Sequence, residues 1–159
     1  MAYLWYKYVG KLVNDLERQE GKHMADYKAL TMAFFDEKKL KYSELDEVAL
    51  RVGFDYENVK NLSIFCIFDK DGEGKIQMVT SPLGTFKGEK TVTGLTIVNQ
   101  LNNTYRWVKF MLNDSQDLIA RVDAILSPET VGPEVYELVL RSANIIDEAY
   151  PDIMRALWT

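Results

Sequence analysis

The chain has one cysteine and one histidine among its 159 residues. With Cys66 alone, no intrachain disulfide forms, and zinc sites built on several thiolates are excluded. A Ser-His-Asp triad needs a histidine, and the sole candidate is His23. It sits in the polar stretch EGKHMADY, between two expected helices, where a solvated linker role is the simpler reading. Basic residues are also scarce, with 19 Lys and Arg against 24 Asp and Glu, a net charge of −5. The densest basic run, KKLK at 38–41, is flanked by Glu37 and Glu44. Neutralising phosphates takes clustered cations, so neither nucleic acid nor an anionic membrane is an expected partner. Long apolar runs are missing as well. The N-terminal stretch MAYLWYKYVGKLVNDLERQE is interrupted by Lys7, Lys11, Asp15, Glu17 and Arg18, so no signal peptide or membrane span is expected. With one cysteine and no such segment, the expected compartment is the cytoplasm.

What is present describes a globular domain. The chain is 47% hydrophobic and 27% charged, enough apolar content for a sizeable core. Residues 3–19 place Leu4, Tyr8, Leu12 and Leu16 at i, i+4 spacing and predict an amphipathic helix. Gly21 breaks it. A second helix is expected from Ala25 to Leu40, with Ala29/Leu30 and Ala33/Phe34 inward.

The period then changes to two. Val48, Leu50, Val52 and Phe54 share a face, the mark of a half-buried strand. LSIFCIF at 62–68 reads as a central strand, and KIQMVTS at 75–81 as its hairpin partner. SPLGTFKGEK reads as a loop. Thr91 to Tyr105 returns to helical spacing, with Val92, Leu95, Val98 and Leu101/Asn102 along one stripe. WVKFMLND and DLIARVDAIL form a second hairpin, turning at Asn113–Gln116. The last helix starts near Pro133, and Pro151 inside it is expected to kink or restart it. The predicted fold is α+β, a five-stranded, largely antiparallel sheet with helices packed on it, in the order α-α-β-β-β-α-β-β-α.

DKDGEGKIQMVT at 69–80 imitates a calcium loop. Asp69, Asp71, Glu73 and Gly74 fall at positions 1, 3, 5 and 6 of the pattern, but position 12, which needs a bidentate Glu, is Thr80. The flanks are strands where the motif needs helices. Asp71-Gly72 instead predicts a two-residue hairpin turn. The carboxylate pairs Asp46/Glu47 and Asp147/Glu148 are sequence neighbours that point apart, which is no arrangement for acid–base work. Gly84, Gly88 and Gly94 match neither phosphate-loop spacing, so a plain connection is the reading preferred. No catalytic residue, metal or cofactor is assigned.

Aromatic residues carry the remaining signal. Trp5, Tyr6 and Val9 widen the apolar stripe of the first helix, which must bury that surface on its own domain or on another chain. Leu101, Tyr105 and Trp107 form a second candidate surface, with core packing as the plainer alternative.

At LNNTYRWVKFML (101–112), the DLIARVDA strand and NIIDEAYPDIMRAL (144–157), the chain resembles the YbjN-domain family, described as regulators of sensory transduction. The resemblance covers roughly residues 25–158 and includes an acidic residue ahead of Tyr-Pro. The family's element order is similar to the type III secretion chaperone fold. The resemblance implies a non-enzymatic protein-interaction domain of chaperone-like or regulatory use, a homodimer, and no catalytic residues. It divides the chain into an amphipathic helical extension, residues 1–22, and a single YbjN-like domain, residues 23–159. The alternative is a small-ligand sensor with a pocket between sheet and helices.

Overall fold

A computed structural model of the chain describes residues 26–159. The expected N-terminal helix, with Trp5, Tyr6 and Val9, and also His23, lie outside the described residues.

The described chain opens with α1 (Tyr27–Glu37), capped by the Asp26 carboxylate, which accepts from the Ala29 N–H at 2.9 Å. Lys39, at φ 58°, ends it in the left-handed region. Strands β1 (Tyr42–Glu44), β2 (Ala49–Phe54), β3 (Leu62–Phe68), β4 (Lys75–Thr80) and β5 (Gly84–Thr85) follow. A 3₁₀ turn, Gly88–Lys90, leads into α2 (Thr91–Thr104), then β6 (Lys109–Leu112), β7 (Asp117–Ile125) and α3 (Val131–Trp158).

Every strand pair is antiparallel, in the order β1-β2-β3-β4-β7-β5, with β6 also on β7. The registers explain this branching. Leu118 of β7 pairs with Gly84 of β5 on one side and Leu112 of β6 on the other. β4 and β5 therefore lie along the same side of β7, and the seven strands occupy six rows. Between them sits Pro82, which has no N–H to give the ladder. The Thr80 hydroxyl accepts from the Ala120 N–H at 2.9 Å across this break.

Among the described residues the expected five strands become seven, five before α2 and two after it, so the predicted order is corrected. The unforeseen ones are the shortest, β1 with three residues and β5 with two. Neither is long enough to show a period of two. α3 runs through Pro151 as one assigned element, where a restart was an expected outcome.

One face of the sheet carries Leu50, Val52, Ile64, Cys66, Phe68, Ile76, Met78, Leu118 and Ala120, all buried, and the helices pack on it. α3 supplies Val135, Val139, Ile146, Ala149 and Ile153, none with any exposed surface. α1 lies on the N-terminal part of α3. There Phe34 packs edge-on to Tyr136 at 5.7 Å, and a Cβ on Gly132 would come within 2.6 Å of Phe34. The inward residues of α1 are Thr31 and Phe35, one position later than the predicted stripe; Leu30 is 42% exposed. Thr31 is tolerated there because its hydroxyl donates to the Tyr27 carbonyl at 2.8 Å. Among the described residues, no helix is long and apolar enough to cross a membrane.

Candidate functional site

α2 is held close to the sheet by Gly94, where a Cβ would meet Cβ and Cγ of the buried Phe86 at 2.7 and 2.8 Å. This contact sets the rotation of the helix. Gly94, Ile97 and Leu101 face inward, whereas Val92 and Leu95 are 72% and 55% exposed. The predicted stripe is corrected accordingly, because a glycine gives no apolar signal yet marks the buried side. Asn102 turns toward β6 and pairs with both main-chain groups of Phe110. Its amide donates to the Phe110 carbonyl at 2.9 Å, and its oxygen accepts from the Phe110 N–H at 2.8 Å. The side chain thereby occupies part of the free edge of the sheet.

Between α2 and the last turns of α3 runs a groove of about 490 Å³. Ile97 and Leu101, both buried, form its floor. Val92 lines it from α2, Tyr105 from the residue just after that helix, and Asp152, Arg155 and Ala156 from α3. Arg155 and Asp152 are ion-paired at 2.7 Å. Lys90 donates to the Leu157 carbonyl and ties the start of α2 to the end of α3. Trp158, 80% exposed, sits beside the groove-lining Thr159. Burial pushes the Tyr105 hydroxyl above its ordinary value, with Glu148 and Asp152 adding to the effect, so the groove presents it as a neutral hydroxyl.

Of the candidate residues, Leu101 and Tyr105 share this groove. Trp107 stands two residues beyond, 63% exposed, on backbone at φ 76°. Its ring lies 5.5 Å from the Arg141 guanidinium of α3. Sequence reasoning missed Val92 and Trp158 as surface residues. Only the helix rotation set by Gly94 and the end of α3 expose them.

The calcium-like segment is a hairpin. Phe68 pairs with Ile76, and the Asp69 N–H donates to the Lys75 carbonyl at 3.0 Å. The turn differs from the two-residue type expected from Asp71-Gly72. Positive φ falls on Gly72 (70°) and Gly74 (74°), so the loop is longer. The Asp71 and Glu73 carboxylates turn to Lys75. Asp71 is held below its ordinary value, first by the Glu73 N–H and then by Lys75. Among the described residues no group of three His, Cys, Asp or Glu could hold a metal ion. Cys66 lies in the core, and burial pushes its thiol up to about 12.

Asp147, one of two acidic residues ahead of Tyr-Pro, has a structural task. Its carboxylate accepts the N–H groups of Asn58 and Val59 at 2.8 and 2.9 Å, which pins the β2–β3 connection to α3. The profile of the YbjN family, described as "Putative bacterial sensory transduction regulator", matches residues 32–153, most of the chain, this segment included. The chain belongs to the YbjN family. No curated protein matches it in sequence. Two solved structures resemble this YbjN domain at low identity. A chain of "Crystal Structure of the ExsC-ExsE Complex" is 17% identical, over 76% of this chain and 86% of that one, with a TM-score of 0.47. A chain of "Structure of the HopA1-SchA Chaperone-Effector Complex" is 16% identical, over 76% of this chain and 93% of that one, with a TM-score of 0.46.

Proposed function

We propose that this YbjN domain is a non-enzymatic protein-interaction module of chaperone-like or regulatory use, and that the groove between α2 and α3 receives a segment of the partner. The observation that carries the reading is the apolar floor of Ile97 and Leu101 under an exposed rim of Val92. Apolar surface of this kind is stabilised by burial against another chain. The reading includes a homodimer, as the family resemblance implies, and a place in the cytoplasm, as the single cysteine suggests. Residues 1–22 belong to it as a helical extension, with Trp5, Tyr6 and Val9 as a further contact surface.

The sensor alternative asks for a pocket between sheet and helices. The gap bounded by Ile64, Met78, Thr80, Ser142 and Ile146 measures about 10 Å³, room for one water at most. Nothing at this position favours a ligand.

The test is capture from lysate of the source organism on immobilised protein, comparing the native chain with Val92→Asp and with Leu45→Asp, an exposed apolar position on the β1–β2 connection. A stoichiometric partner retained by the native chain and Leu45→Asp but lost from Val92→Asp supports the reading. Recovery of bait alone overturns it, and equal capture by all three removes the groove as the site. Light scattering on the same samples reads the dimer.

A further inference from the structure

The described helices all pack on one face of the sheet. On the other face, β-pairing aligns Arg51, Phe65, Val79, Arg121 and Lys109 in a row across five strands. Ile67, Ile119 and Met111, half-buried, flank the row, so its middle is apolar. Among the described residues no helix covers it.

The charges of this row fall at its two ends. Arg51 donates through Nε to the Ser63 hydroxyl at 2.9 Å and is not ion-paired among the described residues. At the far end, Arg121 and Lys109 share one carboxylate. Asp123 accepts from Arg121 at 3.0 Å from Nε and 2.9 Å from Nη2, and Lys109 helps Arg121 to hold it below its ordinary value. The remaining charges of the face lie off the row and have partners. Lys75, opposite Asp69 at the hairpin, pairs with Asp71 and Glu73, and Asp117 accepts from the Thr85 hydroxyl at 2.6 Å. Each end of the row thus keeps one uncompensated positive charge, on a chain whose net charge is −5.

These features select an occupant. A sheet face offers side chains alone, because the main chain of its inner strands is already paired. A segment laid along the row must satisfy its own main chain, which a helix does. Four strand spacings separate β2 from β6, about 19 Å. That equals the rise of about 13 helical residues. A second copy of this chain is a poor match, since any two-fold arrangement that lays the row on itself sets cation against cation. Nucleic acid asks for a denser cluster of cations.

We infer that the open face binds an acidic amphipathic helix of a protein partner, with apolar side chains on Phe65 and Val79 and carboxylates about 13 residues apart at Arg51 and Lys109. The site lies on the opposite side of the sheet from the groove between α2 and α3, so the two succeed or fail separately.

The test pans a displayed library of helical peptides of about 17 residues, long enough to span the row, against the full chain. Expected binders carry Asp or Glu at both ends of an apolar stripe. They bind Val92→Asp as they bind the native chain, and lose about tenfold in affinity on Arg51→Glu or Lys109→Glu. Exchanging the facing peptide carboxylate for lysine restores binding to each variant, which a misfolded variant would not allow. Binders without acidic ends, binders lost on Val92→Asp, or no binders at all overturn the inference. Peptide affinity that falls as the chain is concentrated assigns the face to a second copy, and displacement of the peptides by oligothymidylate assigns it to nucleic acid. Either result overturns the inference too.

Discussion

The side-chain amide of Asn58 donates to the main-chain oxygen of Asp147 at 3.2 Å. That oxygen belongs to the residue four before Pro151, whose missing N–H would otherwise satisfy it. A loop side chain thus supplies the hydrogen bond that proline takes out of α3, and the same loop is held by the Asp147 carboxylate through two N–H groups.

This pairing predicts coupling. Asn58→Ala is expected to destabilise the domain by about 1 kcal/mol. In a Pro151→Ala background the loss shrinks, because the helix recovers its own donor. A double-mutant cycle by urea denaturation measures the difference. Strict additivity would show that Asn58 acts only through the Asp147 carboxylate.

Gly94→Ala gives the second prediction. Alanine is the better helix former, yet its methyl group would enter the space of Phe86. The expected result is a net loss of about 1–3 kcal/mol from overpacking. Because α2 must move outward, partner capture through the groove should weaken as well. A gain in stability would mean that α2 shifts without cost.

Trp107 offers a third test. At φ 76° a bulky side chain is strained, and glycine is not. Trp107→Gly is expected to be more stable than Trp107→Ala by about 1 kcal/mol, read by thermal unfolding. Equal stabilities would indicate that the turn relaxes in both variants.

The fourth concerns pH. Burial raises the Cys66 thiol from 9.0 to about 12 in the folded state. Below pH 9 both states keep the proton and the thiol contributes no pH dependence. Between pH 9 and about 12 the unfolded chain ionises while the folded one does not, so stability falls with a slope approaching 1.4 kcal/mol per unit. The stability gap between the native chain and Cys66→Ala should narrow over that window. A gap constant with pH would show the thiol to be accessible when folded.

The long elements were legible from residue order. LSIFCIF coincides with β3, because six of its seven residues, all but Ser63, are β-branched, aromatic or otherwise apolar and suit a strand covered by neighbours on both edges. The candidate site was legible only in part. Leu101 and Tyr105 could be named, but not the groove that joins them to Asp152 and Arg155, residues some fifty positions later.

The amino-acid order by itself determined that this chain folds around alternating strands and amphipathic helices, since burial of apolar periodicities acts locally. The tertiary structure decided the rest. β1 and β5 are strands because β2 and β7 present main-chain groups that need partners. α2 turns Val92 outward because Phe86 leaves room for a glycine alone. α3 continues through Pro151 while Asn58, far away in sequence, replaces the lost hydrogen bond. Each depends on a contact between distant segments, which no local pattern encodes.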